Sequence, residues 1–363
     1  MNVLTIGSAM HDIFIEYDYS GTVYVYANDR RQTFVMFEEG RKIEIDSLQH
    51  HVGGGALNSA TSFARLGNQV RSFFKTGTDT ERDFICKRLQ EEGVEIVGTA
   101  ESSEVPTGNS FVLPCESGDR TILVYRGANL TLTAKELPRD ALATSDLVHI
   151  TPLSGNTACL LPSIAKMARE HGKIVSTNPG ASQLTKQVDT LKRALPHISI
   201  LILNCCEAQL LMDALIGTTD TRQATRVKQA ENEAPLLLQE TLTPRETHFT
   251  LRQFFQAVLA YGLQYAAVTN GKEGVYATDG SDIYFCPSAE AEVVSTLGAG
   301  DAFGSTFSSY LANGEPIDRA IQAGVVNAAS VLQHLDAQTG LLKRDELDKR
   351  IEEIAPNVRS FLL

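Results

Sequence analysis

The chain has 363 residues, of which 43% are hydrophobic and 21% charged, so it is long enough to form one large globular core or two domains. Its 32 basic and 44 acidic side chains give a formal net charge of -12, which argues against nucleic acid or an anionic membrane as the main partner. The N-terminus lacks the basic start of a secretory signal, no apolar run approaches the ~20 residues of a membrane span, and the six cysteines form no CxxC pair, so we expect reduced thiols in a cytoplasmic protein.

Short apolar segments bounded by Gly, Pro, Asn or Asp recur along the chain. They predict strands, in chain order, at 3–6, 70–74, 147–150, 174–176, 198–203 and 265–269. Segments with helical spacing separate them, for example at 60–66, 84–89 and 254–263. Strands that alternate with helices form βαβ units, so this order predicts a doubly wound α/β core around a mostly parallel sheet.

Two regions interrupt this alternation with the two-residue period of antiparallel strands. Residues 13–49 contain such segments with turn residues at Asn28-Asp29 and Glu39-Gly40, and residues 110–125 contain two more around a turn at 116–119. Because neither region fits a βαβ unit, we expect them to pair into one small sheet that forms a lid over a pocket. Residues 217–246 predict a surface helix followed by a loop.

The strongest motif is Ser-Thr-Leu-Gly-Ala-Gly-Asp-Ala-Phe at residues 295–303. Apolar residues at helical spacing follow it, which places Gly298, Ala299 and Gly300 at the N-terminus of a helix. Backbone N–H groups there can form an anion hole, and Asp301 in the first turn can accept a proton from an alcohol while a phosphoryl group is transferred. The motif predicts a phosphotransferase. The alternative is an ordinary first-turn acid after a glycine turn.

A second glycine-rich turn, Gly53-Gly54-Gly55, precedes a predicted helix that contains Asn58. Glycine lets a ligand approach the backbone, and the Asn58 amide can both donate and accept hydrogen bonds, as binding a polyol requires. Asp12 is expected to close the first strand, at the sheet edge where α/β folds bind ligands. Taken by themselves, these residues also fit a tight strand-to-helix turn and a strand-end cap.

Three weaker patterns remain. Asn204 and Glu207 follow the predicted strand 198–203 and can orient a hydrated Mg²⁺, or they can form a helix N-cap and its capping box. The segment 269–274 lies between two apolar strands and by itself predicts only a hairpin turn. The adjacent Cys205 and Cys206 suggest redox chemistry, but a buried strand end explains them equally well.

In this order and spacing the residues resemble the ribokinase-like (PfkB) family of carbohydrate and nucleoside kinases, from about residue 3 to residue 340. The two family signatures match at Gly53-Gly54 with Asn58 and at 298–303, and secondary matches lie at 106–108, 127–129, 204–207, 268–274 and 327. The resemblance implies a Rossmann-like, doubly wound, mostly parallel sheet with a small β-sheet lid. It assigns residues 1–12, 50–105 and 130–363 to the core and residues 13–49 and 106–129 to the lid.

The resemblance also implies the reaction, which is transfer of the γ-phosphoryl group of ATP to a hydroxymethyl group of a sugar or a nucleoside such as adenosine. It makes Asp301 the general base and the amides of Gly298, Ala299 and Gly300 the anion hole. The other positions that it carries over are Asp12, Gly53, Gly54 and Asn58 for the sugar, Asn204, Thr269, Gly271, Gly274 and Asn327 for ATP, and Glu207, through water, for Mg²⁺.

The chain departs from the family pattern in three places. Ser295 stands where the second signature usually has Asp, so activation by a monovalent cation such as K⁺ is not carried over. Gly55 stands where ribokinases often have Lys, so ribose itself is not carried over. The insertion at 217–246 is longer than typical.

Two alternative functions and one oligomeric state complete the predictions. A sugar-phosphate kinase of the same family would need a basic cluster in the first signature, which offers none. A catalytically silent sugar- or nucleotide-binding regulator can share this fold. The exposed edges of the lid sheet predict a homodimer formed through the lid.

Overall fold

The computed structural model describes residues 1–17, 21–27, 30–98, 100–115, 120–216, 234–239, 242 and 249–363. The strands are β1 (Asn2–Ile6), β2 (Met10–Tyr17), β3 (Thr22–Ala27), β4 (Arg30–Val35), β5 (Ile45–Gly53), β6 (Gln69–Phe73), β7 (Lys75–Gly77), β8 (Glu95–Ile96), β9 (Ala100–Ser102), β10 (Gly108–Pro114), β11 (Arg120–Tyr125), β12 (Leu147–Ile150), β13 (Ile174–Thr177), β14 (Ile200–Asn204), β15 (Tyr265–Thr269), β16 (Val275–Thr278), β17 (Asp282–Cys286) and β18 (Arg359–Leu362). The helices are α1 (Gly55–Arg65), α2 (Thr80–Glu91), α3 (Arg139–Thr144), α4 (Leu161–Glu170), α5 (Ala181–Lys186), α6 (Val188–Ala194), α7 (Cys205–Ile216), α8 (Leu236–Gln239), α9 (Leu251–Leu259), α10 (Ala299–Ala312), α11 (Ile317–Leu332) and α12 (Arg344–Ile354).

The main sheet has the strand order β18-β17-β16-β15-β14-β13-β12-β1-β6-β8. Its pairs from β15 to β8 are parallel, and β16, β17 and β18 extend one edge in antiparallel pairs. Parallel pairs need crossover connections, which the intervening helices supply. The predicted doubly wound, mostly parallel sheet is confirmed.

Helices cover both faces of this sheet, and β14 shows how the sequence divides between the faces. Leu201 and Leu203 belong to the core cluster that includes α4, α7 and α9, whereas Ile200 and Ile202 belong to the cluster that includes α10 and α11. Since side chains alternate along a strand, a central strand buried on both faces is apolar throughout.

A second sheet has the order β11-β10-β2-β5. Its β10 and β2 are parallel neighbours, so strands from both predicted interruptions pair in one small sheet, as predicted. β3 and β4 form a separate antiparallel hairpin. The predicted turns at 28–29 and 116–119 lie outside the described residues.

Most of the predicted insertion at 217–246 also lies outside the described residues. In its described part the structure has the single-turn helix α8 at Leu236–Gln239. Within the described ranges no helix is both long and apolar enough to span a membrane.

Candidate active site

The N-terminus of α10 lies at the centre of the site. Gly298 caps this helix with φ of 80°, a left-handed conformation that favours glycine, and a side chain there would collide with Ala337. The first residues of a helix have backbone N–H groups without an intrahelical acceptor. The segment from Gly298 to Gly300 therefore presents N–H groups and the positive end of the helix dipole, which attract an anion.

Asp301 lies in the first turn of α10, as predicted, and receives a hydrogen bond from Asn58. The Asn58 Nδ2 donates to Asp301 Oδ2 at 2.8 Å, and Gln338 Nε2 donates to Asn58 Oδ1 at 3.1 Å. Burial raises the pKa of Asp301, and the hydrogen bond from Asn58 opposes that rise. The carboxylate is therefore a stronger proton acceptor than a solvent-exposed aspartate, and its orientation is fixed.

Asp12 does not close the first strand, so that prediction is wrong. β1 ends at Ile6, and Asp12 lies within β2 of the small sheet, after a break at residues 7–9. Ser110 Oγ donates to Asp12 Oδ1 at 2.5 Å, and the missing side chain of Gly53 makes room for the carboxylate. Burial, with the nearby charges of Asp336 and Asp301, raises the pKa of Asp12 to about 6.

The glycines before α1 serve contacts within the protein. Gly54 caps α1 with φ of 91°, and a Cβ atom there would come within 2.5 Å of the Ser8 carbonyl oxygen. A side chain at Gly53 would overlap the Asp12 carboxylate. These glycines let the start of α1 approach Ser8 and Asp12, whereas the sequence suggested that they approach a ligand.

The loop at 336–341, which the sequence did not identify, holds this site together. Asp336 Oδ1 accepts from the backbone N–H groups of Gln338 and Thr339 at 2.8 and 2.9 Å. Arg65 of α1 donates to the carbonyl oxygens of Gln338 and Leu341 at 2.8 and 2.9 Å. The Asp-x-x-Thr turn pattern was the available signal, because such side chains satisfy their own backbone.

Two contacts between side chains join the small sheet to the core, and neither was predicted. His51 Nδ1 lies 3.6 Å from Asp336 Oδ2. Arg120 Nη1 donates to Thr296 Oγ1 at 2.6 Å, two residues before Gly298. The second contact places a guanidinium group beside Thr296, which precedes α10 and lines the cavity described next.

A cavity of about 480 Å³ lies on the other side of the α10 N-terminus. Thr269, Gly271 and Gly274 of the β15–β16 connection line it, as do Ala299 and Gly300. Most of its remaining wall is apolar and comes from Val275, Ala289, Ala291, Val293, Phe303, Val325, Ala328, Ala329 and Leu332, while Lys272, Ser288, Glu290 and Thr296 add polar groups. A largely apolar cavity that ends at a helix N-terminus suits a flat ring joined to phosphate groups.

Asn204 and Glu207 form a capping box at the start of α7, which the sequence left open as an alternative. Asn204 N–H donates to Glu207 Oε2 and Glu207 N–H donates to Asn204 Oδ1, both at 2.9 Å. Asn204 pairs directly with Thr269 in the sheet, which places it beside the cavity.

Asn327 is fully buried and does not line the cavity. Its Nδ2 donates to Thr306 Oγ1 at 2.8 Å, and its Oδ1 accepts from Leu342 N–H at 2.9 Å. It therefore connects α11 to α10 and to the segment that follows the 336–341 loop.

The fold and the site together define a class of protein. An apolar cavity and the hydrogen-bonded pair of Asn58 and Asp301 meet at one helix N-terminus, which is the arrangement of a phosphotransferase for a small polar acceptor. The chain belongs to the pfkB family of carbohydrate kinases, because the model of that family matches residues 20–344.

Individual relatives agree with this family. A ribokinase of Staphylococcus aureus is 24% identical over 86% of this chain and 92% of its own length. A 2-dehydro-3-deoxygluconokinase of Bacillus subtilis is 26% identical over 86% of this chain and 90% of its own length. A solved structure of Arabidopsis thaliana ribokinase complexed with ribose and ATP aligns over 96% of this chain and 98% of its own, with a TM-score of 0.72 and 20% identity. The protein is similar to each of these and has the ribokinase-like fold.

Proposed function

We propose that the protein transfers the γ-phosphoryl group of ATP to a hydroxymethyl group of a sugar or nucleoside. The observation that carries the proposal is the placement of Asp301, hydrogen-bonded to Asn58, in the same helical turn as the N–H groups of Gly298 to Gly300. Asp301 thus contacts Asn58, while its neighbours Ala299 and Gly300 line the cavity.

Asp301 acts as the general base in this proposal. The acceptor hydroxyl gives its proton to the Asp301 carboxylate as its oxygen attacks the γ-phosphorus, and the bond to the leaving ADP oxygen breaks. The raised pKa of Asp301 brings its proton affinity closer to that required near neutral pH. The N–H groups of Gly298, Ala299 and Gly300, with the guanidinium of Arg120, stabilise the charge on the transferred group.

ATP occupies the cavity in this proposal, with Thr269, Gly271 and Gly274 along the nucleotide and Asn204 beside them. Asn327 contributes indirectly, because its hydrogen bonds hold α11, whose residues wall the cavity. The ATP bound to a related ribokinase supports this assignment by similarity of fold.

Mg²⁺ fits the residues as an ion held mainly by water and phosphate. One oxygen of Glu207 is engaged in the capping box, so its carboxylate can reach a metal-bound water through the other. Among the described residues, no group of three or more His, Cys, Asp and Glu side chains could hold a metal. The ion, when bound, neutralises phosphate charge.

No monovalent cation is part of this proposal. Ser295 supplies a neutral hydroxyl where a carboxylate is usual in the family. That hydroxyl oxygen accepts from Leu297 N–H at 3.2 Å, which gives it a local structural role.

We propose further that residues 13–49 and 106–129 form the lid, while residues 1–12, 50–105 and 130–363 form the core, and that two lids pair in a homodimer. The exposed edge strands of the small sheet are β11 and β5, and Leu123, Tyr125 and Leu48 expose large apolar side chains there. A monomeric mass by light scattering at assay concentration would refute the dimer.

A coupled assay for ADP formation tests the proposed function. With ATP and Mg²⁺, we expect ADP to form only when a sugar or nucleoside acceptor is added. Ligand binding without ADP formation for any acceptor would instead favour a silent regulator.

A further inference from the structure

The inner face of the small sheet carries a row of polar side chains. Ser110 and His51 are the direct cross-strand partners of Asp12, on opposite sides of it, and directly paired residues project to the same face of a sheet. Asp336, from the core, faces this row through its 3.6 Å approach to His51. Asp12, His51 and Asp336 therefore lie together, close enough to Asp301 for its charge to act on Asp12.

The charges that act on Asp12 are those of carboxylates. Among the charged groups that act on Asp12, both Asp336 and Asp301 raise its pKa. Burial opposes ionisation of Asp336, but hydrogen bonds from Thr339 and Gln338 outweigh it and lower its pKa. Asp336 is thus ionised at neutral pH.

His51 does not neutralise these carboxylates. Burial lowers the pKa of its imidazole, with contributions from Arg88 and His50 in the same direction, and Asp336 only partly compensates. The ring is neutral at neutral pH and can donate or accept one hydrogen bond at each nitrogen according to its tautomer.

Three arginines are described nearby, and each has another partner. Arg88, whose charge acts on His51, pairs with Glu91 at 2.6 Å. Arg65 pairs with Glu92 at 2.6 Å and binds carbonyl oxygens of the 336–341 loop. Arg120 donates to Thr296, which lines the apolar cavity.

We propose that Asp336 and His51 complete the acceptor site with Asp12 and select an uncharged polyol over sugar acids and sugar phosphates. This inference rests on the proposed kinase function. Hydroxyl groups donate to carboxylate oxygens at no electrostatic cost. An anionic acceptor would instead be repelled by the partly or fully buried carboxylates of Asp12, Asp336 and Asp301. Repulsion of the wrong partner is an effective source of specificity.

The turn-capping role of Asp336 is compatible with this assignment. Its Oδ1 accepts both backbone hydrogen bonds, while Oδ2 accepts from the Thr339 hydroxyl and faces His51. A carboxylate oxygen can accept a second hydrogen bond, so Oδ2 can bind an acceptor hydroxyl without loss of the turn.

An acceptor panel tests the selectivity. The uncharged probes are D-ribose, 2-deoxy-D-ribose and adenosine, and the anionic probes are 2-dehydro-3-deoxygluconate and fructose 6-phosphate. We expect kcat/KM for the best uncharged probe to exceed that of either anion by about a hundredfold or more. An anionic probe as the best substrate would overturn the inference.

Calorimetric binding of the same probes separates failure of this inference from failure of the proposed function. Binding of an uncharged probe without ADP formation would contradict the kinase and support the selectivity. Tighter binding of an anionic probe, or no binding of any uncharged one, would contradict the selectivity whatever the assay shows.

Variants test the two residues. Asp336→Asn keeps an oxygen for the turn but loses its charge-assisted hydrogen bonds, so we expect a folded protein with a melting temperature a few degrees lower, a KM for the uncharged acceptor about tenfold higher and a kcat within about threefold of wild type. Discrimination against 2-dehydro-3-deoxygluconate should shrink. His51→Leu should likewise raise the KM for the uncharged acceptor.

Asp345→Asn, which removes an exposed acid on α12, is the control and should change neither the acceptor KM nor the discrimination. Unchanged acceptor KM and selectivity in both Asp336→Asn and His51→Leu would overturn their assignment.

Discussion

The two sides of the α10 N-terminus are built differently. On the side that we propose binds the acceptor, side chains are hydrogen-bonded to one another: Gln338 donates to Asn58, Asn58 donates to Asp301, and Ser110 donates to Asp12. On the cavity side, glycine turns and apolar helix faces form the wall. The proposed acceptor side is therefore shaped mainly by hydrogen bonds between side chains, and the proposed nucleotide side mainly by glycine turns and apolar surface.

This difference predicts where substitutions act. A change on the acceptor side alters a particular hydrogen bond or charge, so it should appear in kcat, in the acceptor KM or in their pH dependence. A change at the glycines of the shared helix N-terminus should damage both sides at once.

The largest effect is expected at Asp301. Asp301→Asn removes the proton acceptor but keeps the size of the side chain, so kcat should fall by about 10³-fold or more, while ATP binding measured by calorimetry stays near wild type. Turnover within tenfold of wild type would contradict the role of Asp301 as base.

A second large effect is expected at Gly298. Gly298→Ala strains a left-handed residue and overlaps Ala337, so kcat/KM for ATP should fall by about 100-fold as the N–H groups are displaced.

Gly280→Ala provides the matched control. Gly280 also has a left-handed conformation, with φ of 91°, but a Cβ atom there meets nothing within 4 Å. This variant should lose about 1 kcal/mol of unfolding free energy in denaturant titration and keep full activity. Equal activity losses in the two variants would show that strain alone explains Gly298.

A smaller effect is expected at Gln338. Gln338→Met leaves Asn58 Oδ1 without this donor, so the amide can rotate and its hydrogen bond to Asp301 weakens. That bond lowers the pKa of Asp301, so its loss should reduce kcat about tenfold and move the acidic limb of the kcat profile to higher pH. Gln333→Met, at an exposed position near the end of α11, should leave the profile unchanged.

The smallest effect is the pH dependence of acceptor binding in the wild-type protein. Asp12, with a pKa of about 6, is protonated below that pH and ionised above it. Because acceptor hydroxyls bind the ionised carboxylate, the acceptor KM should fall several-fold as pH rises through about 6. An Asp12→Asn variant whose KM shows the same dependence would assign the titration to another group.

Local signals in the sequence predicted much of this architecture. The spacing after Phe303 located α10 and its first-turn Asp301, and continuous apolar runs located β14 and β15. These features depend on residues close in the chain.

The remainder of the site depends on contacts between distant segments. Asn58 meets Gln338, His51 meets Asp336 and Arg120 meets Thr296 only after the small sheet and the 336–341 loop pack on the core. Asp12 was misplaced because its alternating pattern was assigned from Ile13, whereas β2 begins at Met10.

The most direct measurement of the central claim is the identity of the product. The protein should be incubated with ATP, Mg²⁺ and its best acceptor, and the product analysed by mass spectrometry and phosphorus NMR. We expect one added phosphoryl group on the hydroxymethyl oxygen, formed by the wild type and reduced about 10³-fold or more in Asp301→Asn. Free phosphate with an unmodified acceptor, or equal product from the variant, would contradict the account.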